Sequence, residues 1–318
     1  MAMAPDPAMR ASSEKNRSAA DNDIGDILPC GAIERGAVRQ DQWHDLWVIP
    51  ALVDADFVAA HPTAVLADVR WYLDGRDGRA AYEAGHLPGA VWVDLDHQLA
   101  GHGLAPTAGR HPFPTPTAFA TAMATLGIGD DTIVVAYDDT GGLTGGRLAV
   151  MLRMLGHDAA VLDGGLGSWA GHVETGWNEP VRTTFTPIAW PADRLASADE
   201  AEALAAAGGA VLDARSHERF TGQVTQIDPR PGHIPGARNA PWSAVLDTTG
   251  RVKSAEALRE HYAALGVTGD AIAYCGSGVS TCMNLIAMEH AGLPPARLYV
   301  ASWSGWSADP DRVAATGQ

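Results

Sequence analysis

The sequence predicts an α/β protein of two similar halves, each a mostly parallel twisted sheet flanked by helices on both faces. Strand-like apolar runs alternate with helix-like stretches from about residue 45 onward, the pattern of successive βα units. The second half replays landmarks of the first in the same order, which points to an internal duplication. One spacing is identical in the two copies: Asp138 to Trp169 and Cys275 to Trp306 are both 31 residues.

In chain order, the opening MAMAPDPAMRASSEKNRSAADND has neither periodicity nor the apolar core of a signal peptide. Residues 1–44 therefore read as a disordered leader, and the lack of an export signal predicts a cytoplasmic protein. The runs AVLADVR (64–70) and AVWVD (90–94) read as buried strands. A helical stretch opens at Thr117, followed by the strand-like TIVVAYD (132–138), a Gly-rich loop and a helix over about 146–155. AAVLDGG, starting at Ala159, closes this half as another strand. The first domain spans 45–178. Segment 179–197, with Pro180, Pro187 and Pro191 and no helical pattern, reads as a linker. The second domain spans 198–318 and repeats the landmarks. Asp68-Val-Arg70 returns as Asp213-Ala-Arg215, GHLPGAV (85–91) as GHIPGAR (232–238), Ala136-Tyr-Asp138 as Ala273-Tyr-Cys275, and LDGGLGSW (162–169) as YVASWSGW (299–306).

The 318 residues are 46% hydrophobic, enough for substantial cores, and the formal net charge is −16. Nucleic acid and anionic membranes are thereby disfavoured as partners, since both require clustered Lys and Arg. No apolar run approaches the roughly 20 residues of a membrane helix. A small anionic substrate would have to be held by local arginines and backbone amides against the overall field. The three cysteines, Cys30, Cys275 and Cys282, form neither a disulfide framework nor a zinc pattern. No metal or cofactor is called for.

The chemistry concentrates at Cys275. An apolar strand ends at Tyr274, the loop CGSGVS follows, and a helix opens near Ser280 and Thr281, residue types that favour helix N-caps. Open α/β sheets bind ligands at the carboxyl ends of their strands, where Cys275 sits. Gly276 and Gly278 let successive N–H groups turn inward as an anion-binding nest, and the helix adds its positive end. These favour a thiolate, and because the loop carries no cation, backbone dipoles are expected to supply most of that preference. The bland alternative is a buried structural cysteine. Against it stands the other copy, where the matching residue is Asp138, as if one half kept a nucleophile and the other lost it. A phosphatase is excluded. Its loop needs an arginine six residues after the cysteine, and here that residue is Thr281.

With these residues in place, the chain resembles the tandem rhodanese-domain sulfurtransferases over about residues 50–310. The carriers are DVRWYL from Asp68, both GH[IL]PGA strings, LDGG from Leu162, DARSHERFTG from Asp213, CGSGV from Cys275 and SWSGW from Ser302. The small neutral loop resembles that of mercaptopyruvate-using members, whereas thiosulfate-using members usually carry basic residues in it. Ser280-Thr281 and Val300-Ala301 depart from the common Thr-Ala and Asp-Gly of the family.

The resemblance implies that Cys275 carries sulfur as a persulfide held by Gly276, Ser277, Gly278, Val279 and Ser280. It further implies that Arg219 and Arg230 hold the carboxylate and keto group of a small anionic donor. Ser277, Asp96 and His111 match a proton-transfer set, general acid work for a departing enolate. The implied acceptor is a thiol such as thioredoxin, or cyanide. The plainer readings are an acid partner for each arginine, an N-cap for Asp96 and a surface loop for His111. His86 and His233 read as structural, because both copies keep them. Cys282 reads as buried filler, and Trp169 and Trp306 as packing anchors. Two rival functions remain open: thiosulfate as donor, and a non-catalytic rhodanese-like binding module.

Overall fold

The computed structural model describes residues 49–317 apart from Gln226, so the predicted leader lies outside the described residues. The first half runs β1 (Leu52–Val53), α1 (Ala55–Ala60), β2 (Val65–Asp68), α2 (Gly78–Ala84), β3 (Val91–Trp92), α3 (Leu95–Gln98), α4 (Pro116–Thr125), β4 (Val134–Tyr137), α5 (Gly145–Met154) and β5 (Ala159–Leu162). The second runs α6 (Ala198–Ala206), β6 (Ala210–Asp213), α7 (His217–Phe220), β7 (Arg238–Asn239), α8 (Ala255–Ala264), β8 (Ala271–Tyr274), α9 (Thr281–His290), β9 (Arg297–Leu298) and α10 (Ser302–Ala308). The sheets are ordered β1-β5-β4-β2-β3 and β7-β6-β8-β9, and every pairing in them is parallel.

The central strands are apolar throughout because both faces are covered. Along β4, Val134 and Ala136 pack with α4 and α5, while Val135 and Tyr137 pack with α1 and α2. Along β8, Ala271 and Ala273 face α8 and α9, whereas Ile272 and Tyr274 join the cluster of Trp303 and Trp306. Period-2 alternation thus divides each strand between two helical layers.

The duplication extends to atomic detail. Asp68 pairs with Tyr137 in register and Asp213 with Tyr274, so Asp138 and Cys275 leave equivalent strand ends. Arg70 is ion-paired to Asp68 at 2.6 Å and donates to the Gly85 carbonyl. Arg215 is paired to Asp213 at 2.6 Å and donates to Gly232. The buried His86 and His233 each bond a backbone carbonyl through Nδ1 and stack on Tyr82 and Phe220. Trp306 is fully buried and Trp169 is partly buried against the first-domain core.

Segment 179–197 is not a loose tether. Phe185 is buried, Trp190 packs on Phe113 and Phe119, and Thr186 bonds Asp130. The two halves share one apolar cluster in which Ala149 and Val150 of α5 meet Met283 and Ile286 of α9. Arg153 and Glu289 form an ion pair between the same two helices.

Candidate active site

Cys275 sits one residue beyond β8, almost wholly buried, on the wall of a cavity of about 350 Å³. The start of α10 fixes its backbone. The Cys275 amide donates to Ser302 Oγ at 3.1 Å, and the amides of Trp303 and Ser304 donate to the carbonyls of Cys275 and Gly276. Ser302 adopts φ +53°, a left-handed conformation uncommon for a residue with a side chain, and is held there by its bond to Tyr299 O. The strained residue is thus the one whose hydroxyl holds the Cys275 amide.

The loop differs from the sequence expectation at its helix end. Ser280 is already helical and makes no side-chain cap to α9. Among the described residues, the amides of residues 277–281 have no acceptor. The other copy shows what such a nest can hold. The buried Asp138 carboxylate accepts from the amides of Thr140, Gly142, Thr144 and Gly145 at 2.8–2.9 Å and from two threonine hydroxyls. The first-domain nest is filled by its own anion, while the Cys275 nest is open.

Three predicted residues from distant points of the chain converge. His111 Nδ1 lies 2.8 Å from Ser277 Oγ, and Nε2 lies 3.0 Å from Asp96 Oδ1. Trp71 Nε1 donates to the other Asp96 oxygen at 2.8 Å. An ionised carboxylate only accepts, so Nε2 carries the hydrogen and Nδ1 faces the serine hydroxyl. The hydrogen bond from His111 holds the Asp96 carboxyl below its ordinary value, against partial burial and with help from Trp71. Asp96 is not the cap of its helix; Asp94 is.

The arginines divide. Arg219 lines the cavity. Arg230 does not, which corrects its assignment to substrate. Its guanidinium donates to four carbonyls, of Trp306, Ser307, Asp309 and Arg312, and so clamps the end of α10. Arg110, passed over in the sequence although it adjoins His111, lines the cavity instead. Asp228 bridges the pair, accepting from Arg110 at 2.5 Å and Arg219 at 2.7 Å. Burial pushes its carboxyl up, but the two guanidiniums outweigh burial and leave it below the ordinary value. A Cβ on Gly276 would fall 2.8 Å from Arg219 Nη2 and 3.0 Å from Arg110 Nη2, which places both guanidiniums beside the cysteine.

Gly276, Ser277, Val279 and Ser280 line the cavity with Cys275. Gly278 adopts φ +75° and turns its carbonyl outward to Arg147 of α5. Arg147 is fully buried and has no carboxylate partner among the described residues; it also donates to the carbonyls of Leu99 and His111. Burial pulls its guanidinium down to about 10, opposed by the charges of Cys282 and Cys275. The loop itself carries no cation, but Arg110, Arg219 and Arg147 reach it from outside. No local sequence pattern marks Arg147. Cys282 is fully buried, and burial pushes its thiol up to about 12. The remaining walls include Trp71, Leu143 and Trp242. The described residues contain no cluster suited to a metal ion.

A family model described as a rhodanese-like domain matches residues 56–172 and 197–309. A probable 3-mercaptopyruvate sulfurtransferase of Pseudomonas aeruginosa is 39% identical over 267 residues, covering 81% of this chain and 94% of that protein. A putative thiosulfate sulfurtransferase of Mycobacterium tuberculosis is also 39% identical, over 268 residues, covering 81% and 93%. The solved 3-mercaptopyruvate sulfurtransferase from Leishmania major superposes with TM-score 0.71 at 33% identity, covering 80% of this chain and 73% of that one.

Proposed function

The chain belongs to the rhodanese-like family, and from that premise we propose that it is a sulfurtransferase that takes sulfur from 3-mercaptopyruvate onto Cys275 and passes it to a thiol or to cyanide. One observation carries this reading. An open nest of amides surrounds a cavity-lining cysteine beside a Ser277–His111–Asp96 relay, where the other copy's nest is filled by Asp138.

In the first half-reaction the Cys275 thiolate attacks the donor sulfur. The S–S bond forms, the donor's carbon–sulfur bond breaks, and its electron pair leaves as the enolate of pyruvate. Arg219 neutralises the carboxylate. Ser277 relays the donor's thiol proton to His111 Nδ1 and returns it from the resulting imidazolium to the enolate carbon, while Asp96 stabilises the imidazolium and fixes the ring. The outer persulfide sulfur rests on the loop amides. In the second half-reaction an acceptor thiolate or cyanide attacks that sulfur and the Cys275 thiolate departs. Two half-reactions with a covalent intermediate imply ping-pong kinetics.

Thiosulfate is the second reading, favoured by the equal identity of the mycobacterial relative. Two measurements test the proposal. Treatment with 3-mercaptopyruvate adds about 32 Da, one sulfur atom, to Cys275, and the adduct disappears in Cys275→Ser. Cys282 stays unmodified, because its thiol is buried and protonated. The ratio of kcat/KM for the two donors then favours 3-mercaptopyruvate. A larger value with thiosulfate overturns the donor, and no adduct with either donor overturns the enzyme in favour of a binding module.

A further inference from the structure

We propose that Arg147, a buried first-domain arginine outside the cavity wall, is the positioning residue of the sulfur site: it turns the Val279 amide into the nest and fastens that nest to the His111 relay. Its effect on turnover rests on the sulfurtransferase reading; its geometry does not.

Arg147 is the third residue of α5 and is wholly buried. Its guanidinium reaches both halves at once. Nη1 donates to Gly278 O at 2.8 Å, and Nη2 donates to the carbonyls of Leu99 at 3.1 Å and His111 at 2.8 Å. The Gly278 carbonyl and the Val279 N–H belong to one planar trans peptide and point in opposite directions. Fixing the carbonyl on Arg147 therefore aims the Val279 amide toward the cavity that Val279 lines. Among the described residues that amide has no acceptor. The fit is close: a Cβ on Gly278 would fall 2.5 Å from Val300 O and 3.2 Å from Arg147 Nη1. At the other end, Leu99 and His111 bound the segment that follows Asp96 and α3, so one planar fork sets the spacing of His111 against Ser277. Three carbonyls and the face of Phe113, 4.4 Å away, surround the cation. A sulfur anion on the far side of the Gly278–Val279 peptide completes that environment for a buried charge without a carboxylate.

Two experiments on the full chain test this. The sequence contains two Gly-Val steps, Gly266-Val267 and Gly278-Val279. Labelling with carbonyl-13C glycine and 15N valine therefore selects two amides, and Val267, already bonded to Tyr262 O, is the internal reference. Inorganic polysulfide loads Cys275 without a carbon-based donor. The thiolate attacks a terminal sulfur, one S–S bond forms and one breaks, and a polysulfide one sulfur shorter leaves with the electron pair. In the loaded parent the Val279 proton resonance is expected to move downfield while Val267 stays in place. In Arg147→Met the Val279 shift is lost. A shift that survives in Arg147→Met, or that is missing from the loaded parent, overturns the role of Arg147. In turnover, Arg147→Met is expected to lower kcat about ten- to a hundredfold, approaching the loss of one preorganised donor. KM for 3-mercaptopyruvate should stay within about twofold, since Arg147 does not line the cavity. Parental kcat, or a loss confined to KM, overturns the proposal. Should Arg147→Met not fold, Arg147→Lys carries both readouts, because it keeps the buried charge but not the fork. Its kcat is expected to fall about three- to tenfold, and parental kcat with a parental Val279 shift overturns the proposal. Failure of the parent to use either donor overturns the functional reading alone, since the polysulfide-loaded chain still decides the role of Arg147. Failure to load at all overturns both.

Discussion

Asp96 illustrates how one residue's environment sets its task. Its carboxylate is held by His111 and Trp71 and remains ionised below the ordinary aspartate range. For a depressed acid, the contribution is complete above the ordinary value and is lost only as pH falls through the depressed one. Between about pH 5 and 7, then, Asp96 adds no titration to the rate. Asp96→Asn keeps the shape but removes the charge that supports an imidazolium on His111. Its kcat should fall at least about tenfold, within the range for impaired general acid catalysis, while alkylation of Cys275 by iodoacetamide is unchanged. An unaltered kcat would remove Asp96 from the relay. Arg230 shows the converse: a guanidinium that spends four of its five N–H groups on carbonyls is structural, however suitable its chemistry.

At the scale of elements, the two strand–loop–helix units behave as one device in two states. In the first domain Asp138 fills the nest between β4 and α5 and thereby shapes a loop whose Thr140 and Leu143 line the cavity of the other domain. In Asp138→Asn, the amide group would face the donors of Thr144 or Gly145 in full burial. Stability should drop by about 2 to 4 kcal/mol, the loss of charge-assisted bonds together with an opposed donor pair. A shift of the urea unfolding midpoint checks this. Full retention of stability would mean that the anion does not organise the loop. In the second domain the open nest, uncapped at Ser280, leaves its donors for a ligand.

For the whole molecule, the site exists because two sheets dock. Arg110 and His111 come from one half, and Cys275, Ser277, Arg219 and Asp228 from the other. The Arg110–Asp228–Arg219 bridge also contributes to docking, and its pH dependence has a defined sign. Asp228 is depressed in the folded state, so its stabilisation is present above the ordinary aspartate value and lost as pH falls through the lower folded value. Asp228→Asn should be less stable than the parent at about pH 7, and the gap should be narrower at about pH 3, below the ordinary aspartate value, where the unfolded chain already takes up the proton. Urea unfolding at both values checks it. A gap that does not narrow in acid would assign the effect to packing rather than charge.

Periodicity and duplication in the sequence determined the α/β class, the two parallel sheets and the place of Cys275, because strand alternation and strand-end loops are local properties. The resemblance added Ser277, Asp96, His111 and Arg219. Only tertiary structure decided which arginines reach the cavity, because a guanidinium's partner depends on which carbonyls and acids the docking brings near. Arg230 was drawn to the end of α10, Arg110 was brought in by Gly109 lying against Ala301, and Arg147 was buried beneath Gly278. Such positions follow from packing between the halves, which no spacing along one chain encodes.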